Sequence, residues 1–365
     1  MIRRLTQLCF LIFFAMVSVA GSAQGRRMVI IDQDGAGPAG TNQMAMMLLL
    51  QSPQADVLGI TMVTGDAWEP EAVRHTLRML ELIHRTDVPV APGAIFPLVR
   101  SEQEWKMERQ LYGGYAWYGA WGDVNEKTSR EPHHGPYVIP KMVEGEPTLK
   151  PTGEDAAHFL IRQVHAHPHQ VTIFAGGPLT NIAMAISIDP HFAEMTQGIV
   201  MMGGSLNPQT KDPEFATNPR HEFNFWFDPE AAHIVLRAAW PRIDLTTVDI
   251  SIKTRFTKAM LDEIARSQNP AAKYLAVYTG DLYYCWDELA AAAWLDPAII
   301  TKEQKFYIDV NLNHGPSYGD TLSWDAGINP RSNFSLFMFH TDLDLPRFNK
   351  LFVDLMKAQP QASSK

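Results

Sequence analysis

The stretch Met28-Val-Ile-Ile-Asp-Gln-Asp-Gly-Ala-Gly-Pro-Ala-Gly-Thr-Asn42 decides the fold. Four apolar residues without alternation make a strand buried on both faces, which belongs in a parallel sheet covered by helices. The strand runs directly into Asp32 and Asp34, at the carboxyl end where open α/β sheets place their sites. Two carboxylates at i and i+2 of an extended segment share one face. Held close and unpaired, they call for a cation or a shared proton. Gly35, Gly37 and Gly40 let the backbone turn sharply and approach a ligand. The plainer alternative is a strand end whose solvated Asp caps the next helix, and the rest of the chain must decide between the two.

Working outward, short β-rich runs alternate with helical patterns, the signature of βα units. Strands are expected at residues 28–31, 57–64, 88–90, 171–174, 199–202 and 243–249. Helices are expected at 42–51, 69–84, 155–167, 178–188, 228–239 and 258–266, with 271–292 mainly helical. Asp228-Pro-Glu supplies an N-cap followed by proline at the first helical position. Residues 302–357 read as β-rich and then helical, completing the same domain. The fold class is therefore α/β, with an open, mostly parallel central sheet and helices on both faces. Residues 102–151 show no clear period, yet carry Trp105, Tyr112, Tyr115, Trp117, Tyr118 and Trp121. They read either as a cover over core or as an aromatic lid that stacks on a flat ligand.

The 365 residues are 46% hydrophobic and 19% charged, which excludes a disordered chain. A formal charge of −9 without a basic run makes the chain a poor candidate for a nucleic-acid backbone binder. Arg3 and Arg4, an apolar run over residues 8–20 and Gly21-Ser22-Ala23 form a three-part secretory leader. Residues 1–23 are read as a signal peptide and 24–365 as one domain, exported to the periplasm or secreted, with no membrane contact after cleavage. A membrane anchor is the alternative, but the run is short for a span of about 20 residues. Cys285 is the one cysteine outside the leader, so no internal disulfide is expected.

Further segments resemble the inosine–uridine preferring nucleoside hydrolases: the strand–Asp-x-Asp-Gly opening, LGITMVTGDAW (58–68), GGPLTNIAMA (176–185), VMMGG (200–204), EFNFWFDPEAAHIV (222–235) and Asp287. Their order and spacing carry the resemblance across nearly the whole chain after the leader. It implies hydrolysis of the N-glycosidic bond of a ribonucleoside or related N-riboside, a small-molecule partner, and a homo-oligomer. It also implies Ca2+ held by Asp32, Asp34, Asn42, the Gly176 carbonyl and Asp287, all hard oxygen donors. Asp34 matches the general base. Glu222 and Asn224 match the ribose-hydroxyl ligands, Asn207 or Asn218 a further asparagine, and Asp66 the family's asparagine after the second strand. Trp286 stands where some members carry a leaving-group histidine, and it joins the substrate-binding set.

Two departures stand out. The family's first loop reads Asp-x-Asp-Pro-Gly-x-Asp-Asp; here three residues are inserted and its last two acids become Thr41 and Asn42. Trp286 cannot donate the leaving-group proton. A catalytically impaired ribose- or nucleoside-binding protein of the same fold is therefore the second reading. A phosphatase with an aspartate nucleophile is the third, although the chain shows no later Lys and acid pair in matching context.

Overall fold

The computed structural model describes residues 25–115, 117–122, 134–280, 282–328, 330 and 334–359. The expected leader and His133 lie outside them. Nine strands form one sheet: β1 (Arg27–Gln33), β2 (Ala55–Met62), β3 (Val90–Ala91), β4 (Val171–Ala175), β5 (Gly198–Met202), β6 (Ile243–Thr246), β7 (Ile300–Val310), β8 (Thr321–Asp325) and β9 (Leu336–Leu343). Their order is β3-β2-β1-β4-β5-β6-β9-β7-β8. Neighbours from β3 through β9 pair parallel, while β7 runs antiparallel to β9 and β8. The open, mostly parallel sheet read from the sequence is thus the observed one. The chain moves outward from β1 to β3, then returns to β4 on the other side of β1. That reversal opens a crevice at the carboxyl ends of β1 and β4, the usual ligand position in such sheets.

The helices are α1 (Thr41–Gln51), α2 (Glu69–Leu82), α3 (Glu102–Tyr112), α4 (Ala156–Ala166), α5 (Thr180–Ile188), α6 (Pro213–Thr217), α7 (Phe223–Phe227), α8 (Pro229–Leu236), α9 (Val248–Ser251), α10 (Lys258–Ile264), α11 (Pro270–Tyr278), α12 (Asp287–Leu295) and α13 (Leu345–Lys357). They cover both faces. Val29 and Ile31 of β1 join one core with Leu48, Ala291 and Phe352, from α1, α12 and α13. Ile30, between them, joins the other with Phe159, Ile182 and Val235, from α4, α5 and α8. The pleat sends alternate side chains to opposite faces, and both faces are covered, so the apolar run has no polar position.

Several boundaries differ from expectation. The run 271–292 is two helices, because Thr279 is extended and Trp286 starts a new one. β2 ends at Met62, where Val63 and Thr64 turn to the carbonyls of Gln33 and Ala94. β6 ends at Thr246, and α9 begins two residues later. The segment without a clear period contains α3, whose Ser101 side chain accepts the Glu104 N–H. Ser101-x-x-Glu104 is a capping-box spacing. Trp105, Tyr118 and Trp121 pack with Trp68, Trp226 and Phe227 as a third, smaller core. These aromatics therefore cover the fold, and only Tyr115 and Trp117 remain half-buried beside the crevice.

Candidate active site

Asp34 follows the last residue of β1 and is buried between the loops after β2 and β4. Its Oδ2 accepts the Asp66 N–H at 2.9 Å, and its Oδ1 accepts Asn42 Nδ2 at 2.8 Å. A Cβ on Gly177 would lie 2.9 Å from the Asp34 Cβ and 3.0 Å from its backbone nitrogen, so only glycine permits this approach. Burial raises the Asp34 pKa well above the carboxylate range, and the charges of Asp66 and Asp287 add to the rise.

Asp287 reaches the same spot from the N-terminus of α12, although 253 residues away in sequence. Its Oδ2 accepts Gln33 Nε2 at 2.9 Å and Asn42 Nδ2 at 3.3 Å. Asn42, the second residue of α1, thus points one amide NH2 at Asp34 Oδ1, Asp287 Oδ2 and Gln33 Oε1, the last at 3.3 Å. Gly176 lies against this group, since a Cβ there would sit 3.0 Å from Asp287 Cγ. Burial pushes Asp287 up to about 8, against the hydrogen bonds of Gln33 and Asn42.

Asp32 and Asp34 take different hydrogen-bond partners. Asp32 Oδ2 accepts Thr61 Oγ1 at 2.5 Å and Asn181 Nδ2 at 2.9 Å. Its Oδ1 is buried without a protein partner among the described residues. Burial pushes Asp32 to about 7. Asp34 lies one residue beyond β1. Gln33 shares Asn42 with Asp34 and donates to Asp287.

Asp66 is held from above by the Trp117 indole N–H, 2.5 Å from Oδ1. Glu222 caps α7: Oε1 accepts the Asn224 N–H, and Oε2 accepts those of Gly204 and Phe225. Burial nevertheless raises Glu222 to about 7. Asn224 donates to the Met202 carbonyl at 3.2 Å, at the end of β5. Trp286 lies beside Asp287, with Phe215 at 5.6 Å and Tyr284 at 5.0 Å between ring centres.

The two alternative asparagines have their own partners. Asn207 has an exposed side chain, and its backbone N–H donates to Asp249 because that carboxylate ties the loop after β5. Asn218 donates to Asp320 Oδ1 at 2.8 Å and to the Tyr115 hydroxyl at 3.4 Å. Tyr115 stacks on His221 at 3.5 Å, and neither nitrogen of that buried ring has a partner among the described residues.

Reading along the chain missed Gln33, Thr61, Asn181 and Glu214. The first three are neutral partners, and their types alone carry no signal. Glu214 had one: Asp212-Pro213-Glu214 repeats the Asp228-Pro229-Glu230 helix start, with the Asp212 side chain again accepting a backbone N–H.

The arrangement suits a hard cation in its donor chemistry. Every candidate donor is oxygen, Asp32 Oδ1 is an orphan, and Asn42 presents oxygen instead of nitrogen on turning its amide. Among the described residues no Lys or Arg forms an ion pair with Asp34, Asp66, Glu222 or Asp287. Nor are three His, Cys, Asp or Glu side chains drawn together at metal-binding spacing among them.

Comparison with known proteins bears on this geometry. A sequence profile described as inosine-uridine preferring nucleoside hydrolase matches residues 29–350. A probable uridine nucleosidase 2 of Arabidopsis thaliana is 30% identical over 281 residues, covering 75% of this chain and 76% of that protein. A pyrimidine-specific ribonucleoside hydrolase of Salmonella arizonae is 28% identical, covering 68% of each chain. A solved plant nucleoside hydrolase aligns with TM-score 0.69 at 24% identity, over 91% of this chain and 99% of its own.

Proposed function

The chain belongs to the inosine-uridine preferring nucleoside hydrolase family, and from that premise we propose how its acid pocket hydrolyses the N-glycosidic bond of a ribonucleoside. The observation that carries the reading is the convergence of Asp34, Asn42 and Asp287 at the ends of β1 and β4. Asp34 takes the proton of the attacking water as general base. Glu222 and Asn224 face the ribose hydroxyls and orient the sugar, while Asp66, steadied by Trp117, borders the same space. The surrounding carboxylates stabilise positive charge as it develops on the ribose ring.

A calcium ion would be held by Asp34 and Asp287 with Asn42, the Gly176 carbonyl and Asp32. When bound, it supplies Lewis-acid activation of a water and offsets the buried negative charge. The names of the relatives favour a pyrimidine nucleoside as the first substrate to test. The leader and the lone Cys285 support export, and exported material still beginning at Met1 would count against it. Exposed Phe96, Val99, Met107 and Leu111 support a homo-oligomer, to be read by light scattering.

Asn42 in place of an acid favours a second reading, a protein that binds a nucleoside without turning it over. Reducing-sugar release from a nucleoside panel, with calcium or EDTA, separates the two. Turnover by the wild type and its loss in Asp34→Asn are expected; nucleoside binding without sugar release would leave only the second reading.

A further inference from the structure

We propose that Glu214 is the acid that protonates the departing base, an assignment that rests on the hydrolase reading above. The reaction needs such a group, because a neutral nucleobase is a poor leaving group unless a proton meets it as the bond breaks. Trp286 occupies the position of the family's histidine and has only an indole N–H. His221 is closed in by Tyr115 at 3.5 Å and by Trp226 at 5.6 Å, with both ring nitrogens buried.

Glu214 is placed to serve. It is the second residue of α6, and its N–H is held by Asp212 Oδ1 at 3.1 Å, which fixes the start of that helix. The next residue, Phe215, packs edge-on against Trp286 at 5.6 Å and anchors α6 over the N-terminus of α12. The Glu214 carboxyl is within electrostatic reach of Glu222 and Asp66 on the ribose side, and of Tyr283 on the aromatic side. The residues on either side tie α6 to the aromatic wall: Phe215 packs on Trp286, and the Tyr284 hydroxyl donates to Asp212 Oδ2 at 3.4 Å. Among the described residues no side chain forms a hydrogen bond or ion pair with the Glu214 carboxyl. A proton on it is free to be given to a ligand.

The groups facing Glu214 all favour the protonated form or lie farther off. Burial raises its pKa to about 7, with Asp212, Glu222 and Asp66 adding to the rise. Among the described residues no cation is among the groups acting on Glu214, and Arg255 lies over the rings of Tyr283 and Tyr284, 5.9 and 4.3 Å from their centres. The Tyr283 phenol is pushed up by burial and by the Glu214 and Asp212 charges, which makes it a weaker donor than Glu214.

In the proposed step the C1′–N bond breaks and its electron pair stays on the base. The Glu214 proton passes to a ring nitrogen or exocyclic oxygen of that base. A water oxygen bonds to C1′ and releases its proton to Asp34. Solvent then returns a proton to Glu214 and takes one from Asp34.

The test compares a nucleoside with 4-nitrophenyl β-D-ribofuranoside, whose phenolate leaves without a proton, in wild type and Glu214→Gln. The expected result is a loss of roughly 10²–10³-fold in kcat on uridine, in the range of general-acid contributions. KM should change little, and the nitrophenyl riboside should be cleaved within about 3-fold of wild type, which also reports an intact fold. The wild-type kcat/KM on uridine should fall above about pH 7, and that limb should be absent with the nitrophenyl riboside. Glu214→Asp should recover part of the uridine rate. Equal losses on both ribosides, or full uridine activity in Glu214→Gln, would overturn the assignment and leave the hydrolase reading standing. A wild type inert to both ribosides would overturn the hydrolase reading and this assignment with it.

Discussion

Replacing Asn42 by aspartate tests the centre of the site with a change of one atom type and one charge. In the wild type a single amide NH2 donates to Asp34 Oδ1 at 2.8 Å, Gln33 Oε1 at 3.3 Å and Asp287 Oδ2 at 3.3 Å. Aspartate puts an acceptor there. The hydrogen bond to a charged partner that is lost is worth about 1.5–3 kcal/mol. A like charge about 4 Å from another costs about 4 kcal/mol at an effective dielectric of 20. The cluster avoids much of that second cost by taking up a proton. Asn42→Asp should therefore destabilise the protein in EDTA by about 2–4 kcal/mol at pH 7.5, and by less at pH 5.

Calcium should invert the order. With a cation in place the added carboxylate becomes a charged ligand, and more charged ligands raise calcium affinity. Saturation at 100 times Kd returns about 2.7 kcal/mol through linkage, and the variant reaches that level at lower calcium. Thermal unfolding in EDTA and in a calcium series reads both effects, and calorimetry reads the affinity directly. An Asn42→Asp protein as stable as wild type in EDTA, with the same calcium heat, would refute the placement of the amide among Gln33, Asp34 and Asp287.

Three further outcomes follow from the same geometry. Asp32, Glu222 and Asp287 have folded pKa values near 7, 7 and 8, above their ordinary values near 4. The folded state holds extra protons between those limits, so stability in EDTA should fall as pH rises from about 4 to about 8. Urea unfolding at pH 5 and 8.5 reads this, and greater stability at the higher pH would contradict it. Gly177→Ala drives a methyl against the Asp34 backbone, which cannot yield as a flexible side chain would; it should cost about 1–3 kcal/mol, together with most of the turnover. A fully active, equally stable variant would show that the approach is not required. Trp117→Phe keeps the ring but removes the donor to Asp66, and kcat/KM should fall about 10- to 100-fold for a lost charged hydrogen bond. An unchanged kcat/KM would mean that this contact does not steady the site.

The sheet was legible because its strands are buried on both faces and read as unbroken apolar runs. Asp32, Asp34 and Asp66 were legible because they stand where those runs end, whereas Glu222 and Asp287 stand at helix starts and were legible only through the family motifs. Helix α3 was hidden for the opposite reason: Trp105 is its only buried residue, so no apolar stripe marks it, and only Ser101 and Glu104 betray its start. The break between α11 and α12 was hidden because Tyr283, Tyr284 and Trp286 fit a helical pattern of apolar residues. Gln33 illustrates the limit within the site. It shares Asn42 with Asp34 and donates to Asp287, contacts made across segments far apart in sequence that no strand period announces.

The altered first loop is better understood as a change of charge than as a change of shape. Its inserted residues are tied down: the Ala39 N–H donates to Gln43 Oε1 at 2.8 Å and to the Tyr274 hydroxyl at 3.1 Å. Gly37 lies against His75, leaving no room for a side chain. The loop then enters α1, whose residues 42–51 are all buried, so the direction of Asn42 is set by core packing and not by the ligand. The position still points at Asp34 and Asp287; only its charge has been removed. A site so built can balance its buried carboxylates either with protons or with a cation, and the two answers respond oppositely to pH. Protons leave as pH rises, and a cation binds more tightly as the carboxylates ionise. If calcium is the partner, it should bind more tightly from pH 6 to 8.5, over the range in which the metal-free protein loses stability.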